Sequence, residues 1–192
     1  MTFFLRFVVF IVVAILLGLG FTALSLSTSS GFAAKREGSW KSWKNAGHLK
    51  ADPYTRAFVA KTGQLPLPPQ IAQTYFALYD NAHRRLHTSC TYLVESPPVA
   101  AKWWTLAAYD YNGRVFKNPI ERYSFNAESA MGKFEGGFHV YISKTPQPEN
   151  WLPMGSNGPF ILVYRLYRKQ LTDDDIGEDK DVPLPLIKRV SC

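Results

Sequence analysis

An uninterrupted apolar run near the start constrains the fold of this chain more than any other feature. Residues 7–24, FVVFIVVAILLGLGFTAL, contain no charged side chain and a single hydroxyl group. These eighteen residues reach the minimum length of a helix that crosses the hydrocarbon core of a bilayer. Because lipid offers backbone groups no hydrogen-bond partners, such a segment must be helical in a membrane. The sequence therefore predicts one transmembrane helix ahead of a separate folded part.

Two explanations of this run stay open. It is either an uncleaved anchor or a long signal peptide that is cut after Gly31-Phe32-Ala33, where small residues occupy the two positions that a signal peptidase recognises. Because the run is longer than the usual apolar core of a signal peptide, we favour the anchor.

The charges beside the run give conflicting information about orientation. Arg6 precedes it, whereas four basic residues and one acid, Glu37, occupy positions 35–44. The positive-inside rule would thus keep the folded part in the cytoplasm, but long domains cross the membrane largely regardless of such charges. The Ser- and Thr-rich stretch 25–30 looks like an exit into water. We therefore expect the folded part outside the cytoplasm.

The remainder, about 160 residues, has the size and composition of one globular domain. Hydrophobic residues make up 46% of the chain and charged residues 19%, which excludes a disordered chain. The net charge is +7, and because Arg6 is the one charged residue among the first 34, the rest carries 21 − 15 = +6. This charge favours anionic partners such as phospholipid head groups, acidic glycans or nucleic acid, although a merely soluble basic surface is the simpler explanation.

The folded part is predicted to begin with a short helix. Asp52 and Pro53 are typical of a helix start and Gly63 of a helix end, which predicts a helix over 53–61. The preceding stretch 40–50 combines tryptophan with lysine. Such residues favour the lipid interface, and packing of the tryptophans against the domain is the alternative.

After this helix the pattern is typical of strands. The apolar runs 71–79 and 86–95, on either side of an Asp-Asn turn, predict a β-hairpin, with a helix over 71–78 as the alternative. Further strands are expected over 102–110, 122–125, 137–143 and 160–167, and a final short run, 186–190, completes the chain.

Short strands separated by turns predict a mainly β fold, an antiparallel β-sandwich or barrel. Because strands do not alternate with helices, the pattern argues against a parallel sheet. We divide the chain into an N-terminal anchor at 1–30, a basic juxtamembrane linker at 31–50 and a β-sandwich domain at 51–192.

Six short motifs follow one another through the domain: Asp52-Pro53-Tyr54-Thr55-Arg56-Ala57, Cys90-Thr91-Tyr92, Trp103-Trp104-Thr105-Leu106, Asn118 with Arg122-Tyr123-Ser124, Asn150-Trp151-Leu152-Pro153 and Arg165-Leu166-Tyr167. Their order and spacing resemble the bacterial family catalogued as domain of unknown function 1214, over nearly everything after residue 40. The resemblance implies a jelly-roll-like antiparallel β-sandwich and brings no established activity. His83 stands where the resemblance leads us to expect glycine in the hairpin turn.

The chain contains two cysteines, Cys90 and Cys192. An even number of cysteines in an oxidising compartment predicts a disulfide, which would tether the C-terminal run to the strand at Cys90. Two free thiols are the alternative, because a sequence does not test the geometry that a disulfide needs.

Motifs for metal binding or catalysis are weak. His83 and His87 have the spacing of a helical zinc site but lie on a predicted turn and strand, so we expect no metal site. The acidic stretch 173–181 misses the spacing of a calcium loop and is expected to be a solvated loop. Neither a nucleophile elbow nor a phosphate-binding glycine loop occurs, and no cofactor is expected. The candidate acids and bases are Asp110, Glu121 and Glu135.

Four residues are weak candidates for ligand binding: Trp104, Arg122, Trp151 and Arg165. Flat tryptophan rings suit the apolar faces of sugars, and arginines suit anions. Packing explains the tryptophans more simply, and pairing with a carboxylate or carbonyl explains the arginines. Because Trp103 and Trp104 are adjacent on a strand, they must point to opposite faces, so one of them is expected in the core.

Together these observations predict a single-pass protein of the bacterial inner membrane with its domain in the periplasm. We expect a cell-envelope module that binds a ligand or serves as a scaffold, with the membrane, an anionic lipid or an envelope glycan as its partner and no nucleic acid. An enzyme that acts on envelope glycans or small molecules is the alternative.

Overall fold

The computed structural model describes residues 2–27, 34–43, 45–99, 101–132, 136–155, 157–167 and 183–192. Its elements, in chain order, are α1 Thr2–Ser27, β1 Ala34–Glu37, β2 Trp40–Trp43, α2 Pro53–Thr62, β3 Ala72–Ala77, β4 Thr91–Ser96, β5 Trp103–Asp110, β6 Ser124–Asn126, β7 Phe138–Ser143, β8 Trp151–Pro153, β9 Phe160–Tyr167 and β10 Leu186–Ser191.

The first helix carries the apolar run. Its stretch Phe3–Leu24 is 22 residues long with a mean hydropathy of 2.9, and none of it is buried against the domain. A helix of this length and composition could cross a membrane. So close to the N-terminus it fits a membrane anchor and a signal sequence alike.

The strands form two sheets, which confirms the mainly β fold. The larger sheet has six strands in the order β1-β2-β3-β9-β5-β6, and the smaller has four in the order β10-β4-β7-β8. Neighbouring strands are antiparallel, except that β7 and β8 run parallel. The strand predicted over 160–167 is β9, and it lies in the middle of the larger sheet between β3 and β5.

Aromatic rings fill the space between the sheets. The ring of Tyr164, on β9, has its centroid 5.8 Å from that of Trp40 and 6.2 Å from those of Trp104 and Phe138. Trp104 on the larger sheet stacks on Phe138 of the smaller sheet at 3.8 Å, which joins the two layers. Burial among these rings raises the pKa of Tyr164 well above its ordinary value, so its hydroxyl stays protonated.

The predicted hairpin between the runs 71–79 and 86–95 is wrong. The chain does reverse at Asp80, and Tyr79 bridges to Arg85 across the turn. However, β3 pairs with β2 and β9, whereas β4 pairs with β10 and β7 in the other sheet. Leu86, directly after the turn, is fully buried, so the second run crosses between the sheets to fill the core.

Residues 34–43, which the sequence assigned to the linker, form the first two strands of the larger sheet. Trp40 points inward and its Nε1 donates to the carbonyl of Pro185 at 2.7 Å. Trp43 points outward and stacks on Phe58 of α2 at 3.7 Å. Both rings are buried, so these two tryptophans pack against the domain and do not face lipid.

The helix predicted over 53–61 is α2, Pro53–Thr62. The Asp52 carboxylate accepts hydrogen bonds from the backbone N–H groups of Tyr54 and Thr55, each at 3.0 Å. Although burial alone would raise it, these hydrogen bonds and that of the Thr55 hydroxyl lower the pKa of Asp52 below its usual value. Gly63, with φ of 62°, ends the helix.

The C-terminal strand β10 is fastened to the turn at Asp80. Arg189 Nε lies 3.0 Å from Asp80 Oδ2, and the Asp80 side chain is 1% exposed. The backbone N–H of Asn81 donates to the carbonyl of Ile187 at 3.0 Å, and Asn81 Oδ1 accepts from the Ile187 N–H at 2.6 Å. Arg189 Nη2 also donates to the carbonyl of Arg85 at 2.9 Å.

A disulfide between Cys90 and Cys192 closes the same region, across a sequence separation of 102 residues. The predicted pairing of the two cysteines is thus present in the structure. We call Asp80, Asn81, Arg189 and this disulfide the C-terminal clasp. Among the described strands β10 lies at an edge of its sheet and pairs with β4 alone, so the clasp holds in place an element that has few strand contacts of its own.

The strand registers define two opposite ends of the domain. Ala34, the first residue of β1, pairs with Trp43, and Trp103 of β5 pairs with Tyr167, at what we call the anchor end. Seven residues later β5 reaches Asp110, at what we call the far end. With about 3.3 Å per residue, the two ends lie about 23 Å apart. The turn at Asp80, and with it the clasp, lies at the far end.

Candidate functional site

Among the described residues, the largest group of candidate functional side chains lies on the outer face of the smaller sheet. Strand β7 alternates buried Phe138, Val140 and Ile142 with half-buried His139 and Tyr141. Tyr141 lies directly beside Trp151 of β8 in the parallel pair. The alternation places these three side chains on one surface, which we call the His139 face: His139, Tyr141, Trp151 and the adjoining Glu149 and Arg122.

Trp151 and Arg122, two of the four predicted ligand residues, meet at this face. Nε1 of Trp151 donates to the carbonyl and to the hydroxyl oxygen of Ser143, both at 3.1 Å, so its indole N–H is occupied. Arg122 Nη1 donates to the Trp151 carbonyl at 3.4 Å, and its guanidinium carbon lies 5.1 Å from the centre of the Phe125 ring. Arg122 is exposed, and its other guanidinium donors bond to no described residue, so among these residues they remain available to an anion.

The loop before Arg122 fixes its position. Asn118 accepts the Arg122 N–H at 3.1 Å and donates to the Arg122 carbonyl at 2.9 Å. Asn118 also donates to the carbonyl of Phe116 at 3.1 Å. One amide side chain therefore closes the loop, which explains why Asn118 and Arg122 belong to one motif.

A side-chain contact that the sequence did not indicate lies beside the tryptophan. Nε2 of His139 contacts the Glu149 carboxylate. Glu149 has φ of 64°, a conformation that costs free energy for a residue other than glycine. The next residue, Asn150, is buried and holds this conformation, since its side chain bonds to the backbone of Met131 and to the carbonyl of His139, each at 2.8 Å.

This arrangement suits binding better than acid–base catalysis. A general base needs a free nitrogen within hydrogen-bond reach of the substrate. His139 has Nε2 engaged by Glu149, and its Nδ1 is buried without a hydrogen-bond partner among the described residues. Both ring nitrogens are thus withheld from a substrate. The ring of Tyr141 stands edge-on to His139, with centroids 6.2 Å apart, and remains half-exposed beside Trp151.

The structure separates the other two predicted ligand residues from this face. Trp104 is 6% exposed in the core, so we withdraw it as a surface ligand-binding residue, and Trp103 is the outward member of the pair. Arg165 lies on the opposite outer face, between Thr74 and Thr105 of the neighbouring strands. Its side chain makes no hydrogen bond or ion pair with another described residue.

The candidate acids and histidines are scattered. Asp110 accepts backbone hydrogen bonds within its own turn, and Glu121 is an exposed loop residue with φ of 51°. His83 is exposed, and His87 Nδ1 lies 2.7 Å from Ser89 Oγ. No group of three metal-binding side chains occurs among the residues that the structure describes. Glu135 and the acidic stretch 173–181 lie outside the described residues, as does the possible cleavage site at 31–33.

A cavity of about 340 Å³ opens at the far end, between the turn of β1 and β2 and the chain before β10. Its lining includes Trp40 and Pro185, which already bond to each other, and the single carboxylate of Glu37. Lys35 pairs with Glu37 at 2.7 Å. Two carboxylates across a tryptophan-lined cleft, the arrangement expected of a glycosidase, are thus not present in the lining of this cavity.

The sequence pointed to Arg122 and Trp151 but missed His139, Tyr141 and Glu149. For His139 and Tyr141 the sequence did contain a signal, because the alternation in the run FHVYI predicts that these two side chains share a face. Glu149 was not accessible in this way. It reaches His139 through a loop whose shape depends on the burial of Asn150.

Comparison with known proteins identifies relatives but no activity. The model of a family described as protein of unknown function, DUF1214, matches residues 72–170. The crystal structure of the VPA0106 protein from Vibrio parahaemolyticus is similar with a TM-score of 0.57 and 25% identity, over 73% of this chain and 36% of that one. A putative uncharacterised protein from Burkholderia cenocepacia matches with a TM-score of 0.44 and 14% identity, over 88% and 39% of the two chains. This chain thus spans well under half the length of either structure, and no curated protein matches it.

Proposed function

Since the chain belongs to the DUF1214 family, a family of unknown function, we propose that it is a membrane-anchored module of the bacterial cell envelope whose domain lies outside the cytoplasm and binds a ligand there. In this proposal the anchor at 1–30 crosses the inner membrane once and the sandwich occupies the periplasm. The jelly-roll-like connectivity that the family resemblance implies is part of the same proposal. The partners are the membrane itself and an anionic lipid or envelope glycan.

One observation carries the location: the same chain combines an apolar N-terminal helix with a disulfide that fastens its last strand. Structural disulfides form and persist in oxidising compartments and are rare where thiols are kept reduced. The clasp places this disulfide beside a buried ion pair, where it supports the architecture of the domain. A cytoplasmic domain would lose that support.

A pair of fusions tests the location. Alkaline phosphatase, which is active outside the cytoplasm, and green fluorescent protein, which fluoresces after cytoplasmic synthesis, are fused in turn after residue 192. We expect phosphatase activity without fluorescence. Fluorescence without phosphatase activity would place the domain in the cytoplasm and overturn the proposal.

The His139 face supports the binding part of the proposal. Tyr141 and Trp151 are paired residues of neighbouring strands with partly exposed side chains, and the Arg122 guanidinium donates to the Trp151 backbone carbonyl. Aromatic faces bind the apolar faces of sugar rings, and arginine binds carboxylates and phosphates. An envelope glycan that carries acidic groups has both features. The enzyme alternative lacks comparable support, because Glu149 engages Nε2 of His139 and the other ring nitrogen, Nδ1, is buried.

Binding is tested with matched tryptophan variants. The full-length protein is reconstituted in nanodiscs and titrated with soluble peptidoglycan fragments. Trp151→Ala removes a ring from the His139 face, whereas Trp103→Ala removes a half-buried ring from the outer face of the other sheet. We expect a loss of about tenfold or more in affinity for Trp151→Ala, as is typical of an aromatic anchor, and little change for Trp103→Ala. Equal losses, or no binding by the unmodified protein, would contradict this role of the face.

A further inference from the structure

Two leucines outside the N-terminal helix are almost fully exposed. Leu49 is 93% exposed and Leu65 is 97% exposed, and Leu67 nearby is also exposed. Single exposed apolar side chains are common on protein surfaces, but a group of them at one place marks a contact surface. We call these three residues the leucine corner. Tyr54 and Ile71, both exposed, lie in the same part of the chain.

The backbone brings the leucine corner together from two loops. Gly47 has φ of 79°, and a Cβ atom at this position would lie 2.5 Å from the carbonyl oxygen of Pro66 and 2.7 Å from that of Leu67. The turn that carries Leu49 is therefore in backbone contact with the loop that carries Leu65. Arg56 of α2 ties the turn down, since its Nη2 donates to the Leu49 carbonyl at 2.7 Å.

The leucine corner lies at the anchor end of the domain. Trp43 ends β2 directly beside Ala34, the first residue described after α1, and the Ala46 N–H then begins the turn by donating to the Trp43 carbonyl at 3.1 Å. Six residues, 28–33, connect Ser27 to Ala34. A chain of this length spans at most about 25 Å, so the anchor end stays close to the point where α1 leaves the membrane. Helix α2 also approaches α1, with Cα atoms within 8 Å.

The charge around the leucine corner complements anionic lipid. Residues 38–79 contain five lysines and arginines and a single acid, Asp52, so the stretch carries 5 − 1 = +4 of the domain charge of +6. Asp52 is engaged in capping α2. Lys50, Arg56 and Lys61 are exposed around the leucines. Basic side chains near a membrane surface are attracted to anionic head groups, and leucines enter the interface beneath them.

We propose that the leucine corner docks on the surface of an anionic bilayer beside α1, with Leu49 and Leu65 inserted at the interface, so that the domain stands on the membrane with its far end directed away from it. This inference rests on the proposed anchoring of the chain by α1. It gives the membrane a second contact, through the α2 region, in addition to the transmembrane helix. The C-terminal clasp would then face the aqueous compartment.

A depth measurement on the full-length protein tests the docking. With the native disulfide closed, Leu65→Cys supplies the sole free thiol, which is labelled with an environment-sensitive fluorophore. The protein is reconstituted in vesicles of phosphatidylethanolamine and phosphatidylglycerol that contain a lipid-bound quencher below the head groups. Asn112→Cys, an exposed position in the Asp110 turn at the far end, is the matched control. We expect quenching to be several-fold stronger at position 65 than at position 112.

The outcomes separate the two proposals. Equally weak quenching at both positions, in protein that co-floats with the vesicles, would overturn the docking and leave the anchoring intact. Protein that fails to co-float would overturn the anchoring itself.

A second comparison checks that the leucines and the lipid charge cause the effect. In protein labelled at position 65, Leu49→Ser is expected to reduce quenching roughly twofold or more, whereas Val190→Ser, at an exposed site on β10, leaves it unchanged. Replacing phosphatidylglycerol by phosphatidylcholine is also expected to reduce it. Because both side chains are exposed, neither substitution removes a core contact. Insensitivity of the quenching to Leu49→Ser and to lipid charge would overturn the proposal.

Discussion

The two turns at the far end are built alike and used differently. In both the 79–85 and the 109–115 segments an aspartate accepts hydrogen bonds from the backbone N–H groups two and four positions further on. In both, the aspartate N–H donates at 2.8 Å to the carbonyl of an arginine four positions ahead. The residue before that arginine has a positive φ, 57° at His83 and 76° at Gly113. The sequence Tyr-Asp-x-x-x-Arg is thus one local solution that occurs twice.

The difference lies in what surrounds each aspartate. The Asp80 side chain is 1% exposed and pairs with Arg84 and Arg189, whereas Asp110 is partly exposed and bonds within its own turn. Arg85 joins the turns, since its Nε donates to the Tyr111 hydroxyl at 3.0 Å. At Asp80, the residue that forms the turn therefore also belongs to the C-terminal clasp, whereas Asp110 forms its turn alone. Residues that make the same turn need not make the same contribution to stability.

The largest expected effect is that of removing the Asp80 carboxylate. Asp80→Ala leaves two backbone N–H groups without their acceptor and the partly buried Arg189 without its partner carboxylate, which is expected to lower the free energy of unfolding by about 3–5 kcal/mol. Urea unfolding of the full-length protein in detergent micelles, followed by tryptophan fluorescence, measures the change. Asp80→Asn keeps the acceptor for the turn and removes the charge, so its loss should be smaller. A loss for Asp80→Ala no larger than for Asp110→Ala would contradict the distinction between the turns.

The disulfide is expected to contribute the next largest effect. Cys192→Ser opens a loop of 102 residues and is expected to cost about 2–4 kcal/mol. Reduction of the unmodified protein is the control, because it opens the same loop without a substitution. The two losses should agree in the same urea titration. A reduced protein that unfolds at the same urea concentration as the oxidised one would show that the disulfide does not support the clasp.

Removing the second aspartate should have a smaller effect. Asp110→Ala deprives two exposed backbone N–H groups of their acceptor, but water can replace it, so we expect a loss of about 1 kcal/mol. The measurement is the same as for Asp80→Ala, and the pair of variants provides the direct comparison. A loss near that of the Asp80 variant would mean that the Asp110 turn carries tertiary contacts comparable to those of the clasp.

The smallest effects are expected from exchanging the positive-φ residues. His83→Gly relieves a left-handed conformation but adds freedom to the unfolded chain, so a gain of about 0.5 kcal/mol is expected. Gly113→Ala introduces that strain, with no atom within 4 Å to clash, and should cost about 1 kcal/mol. Thermal unfolding of both variants checks the opposite signs. Two changes of the same sign would contradict a shared backbone geometry.

The turns also show which features of the fold could be predicted from the sequence. Local patterns were sufficient for α2, for the central strand β9 and for the alternation of Trp103 and Trp104 across β5. Which strands pair with each other could not be predicted from local patterns. The turn at Asp80 suggested a hairpin, but Leu86 is buried between the sheets, and the next strand lies in the other sheet.

The candidate site repeats this division between local and tertiary information. Arg122 and Trp151 were identifiable as motif residues, but nothing in the sequence brought them together on one face with Tyr141. The burial of Trp104 and the separation of Arg165 follow from the face that each strand turns to the core. The strands at 34–43 were not predicted, because Trp40 and Trp43 suit a membrane interface as well as a core.

The redox state of Cys90 and Cys192 in intact cells tests the central claim most directly. One sample of cells is treated with a membrane-permeant alkylating reagent before lysis, and a second sample is reduced before the same treatment. The mass of the protein purified from each sample shows how many cysteines were alkylated. A domain that is folded outside the cytoplasm and closed by its clasp predicts no alkylation of either cysteine until reductant is added, and alkylation of both afterwards. Alkylation of both cysteines without reductant would contradict the account.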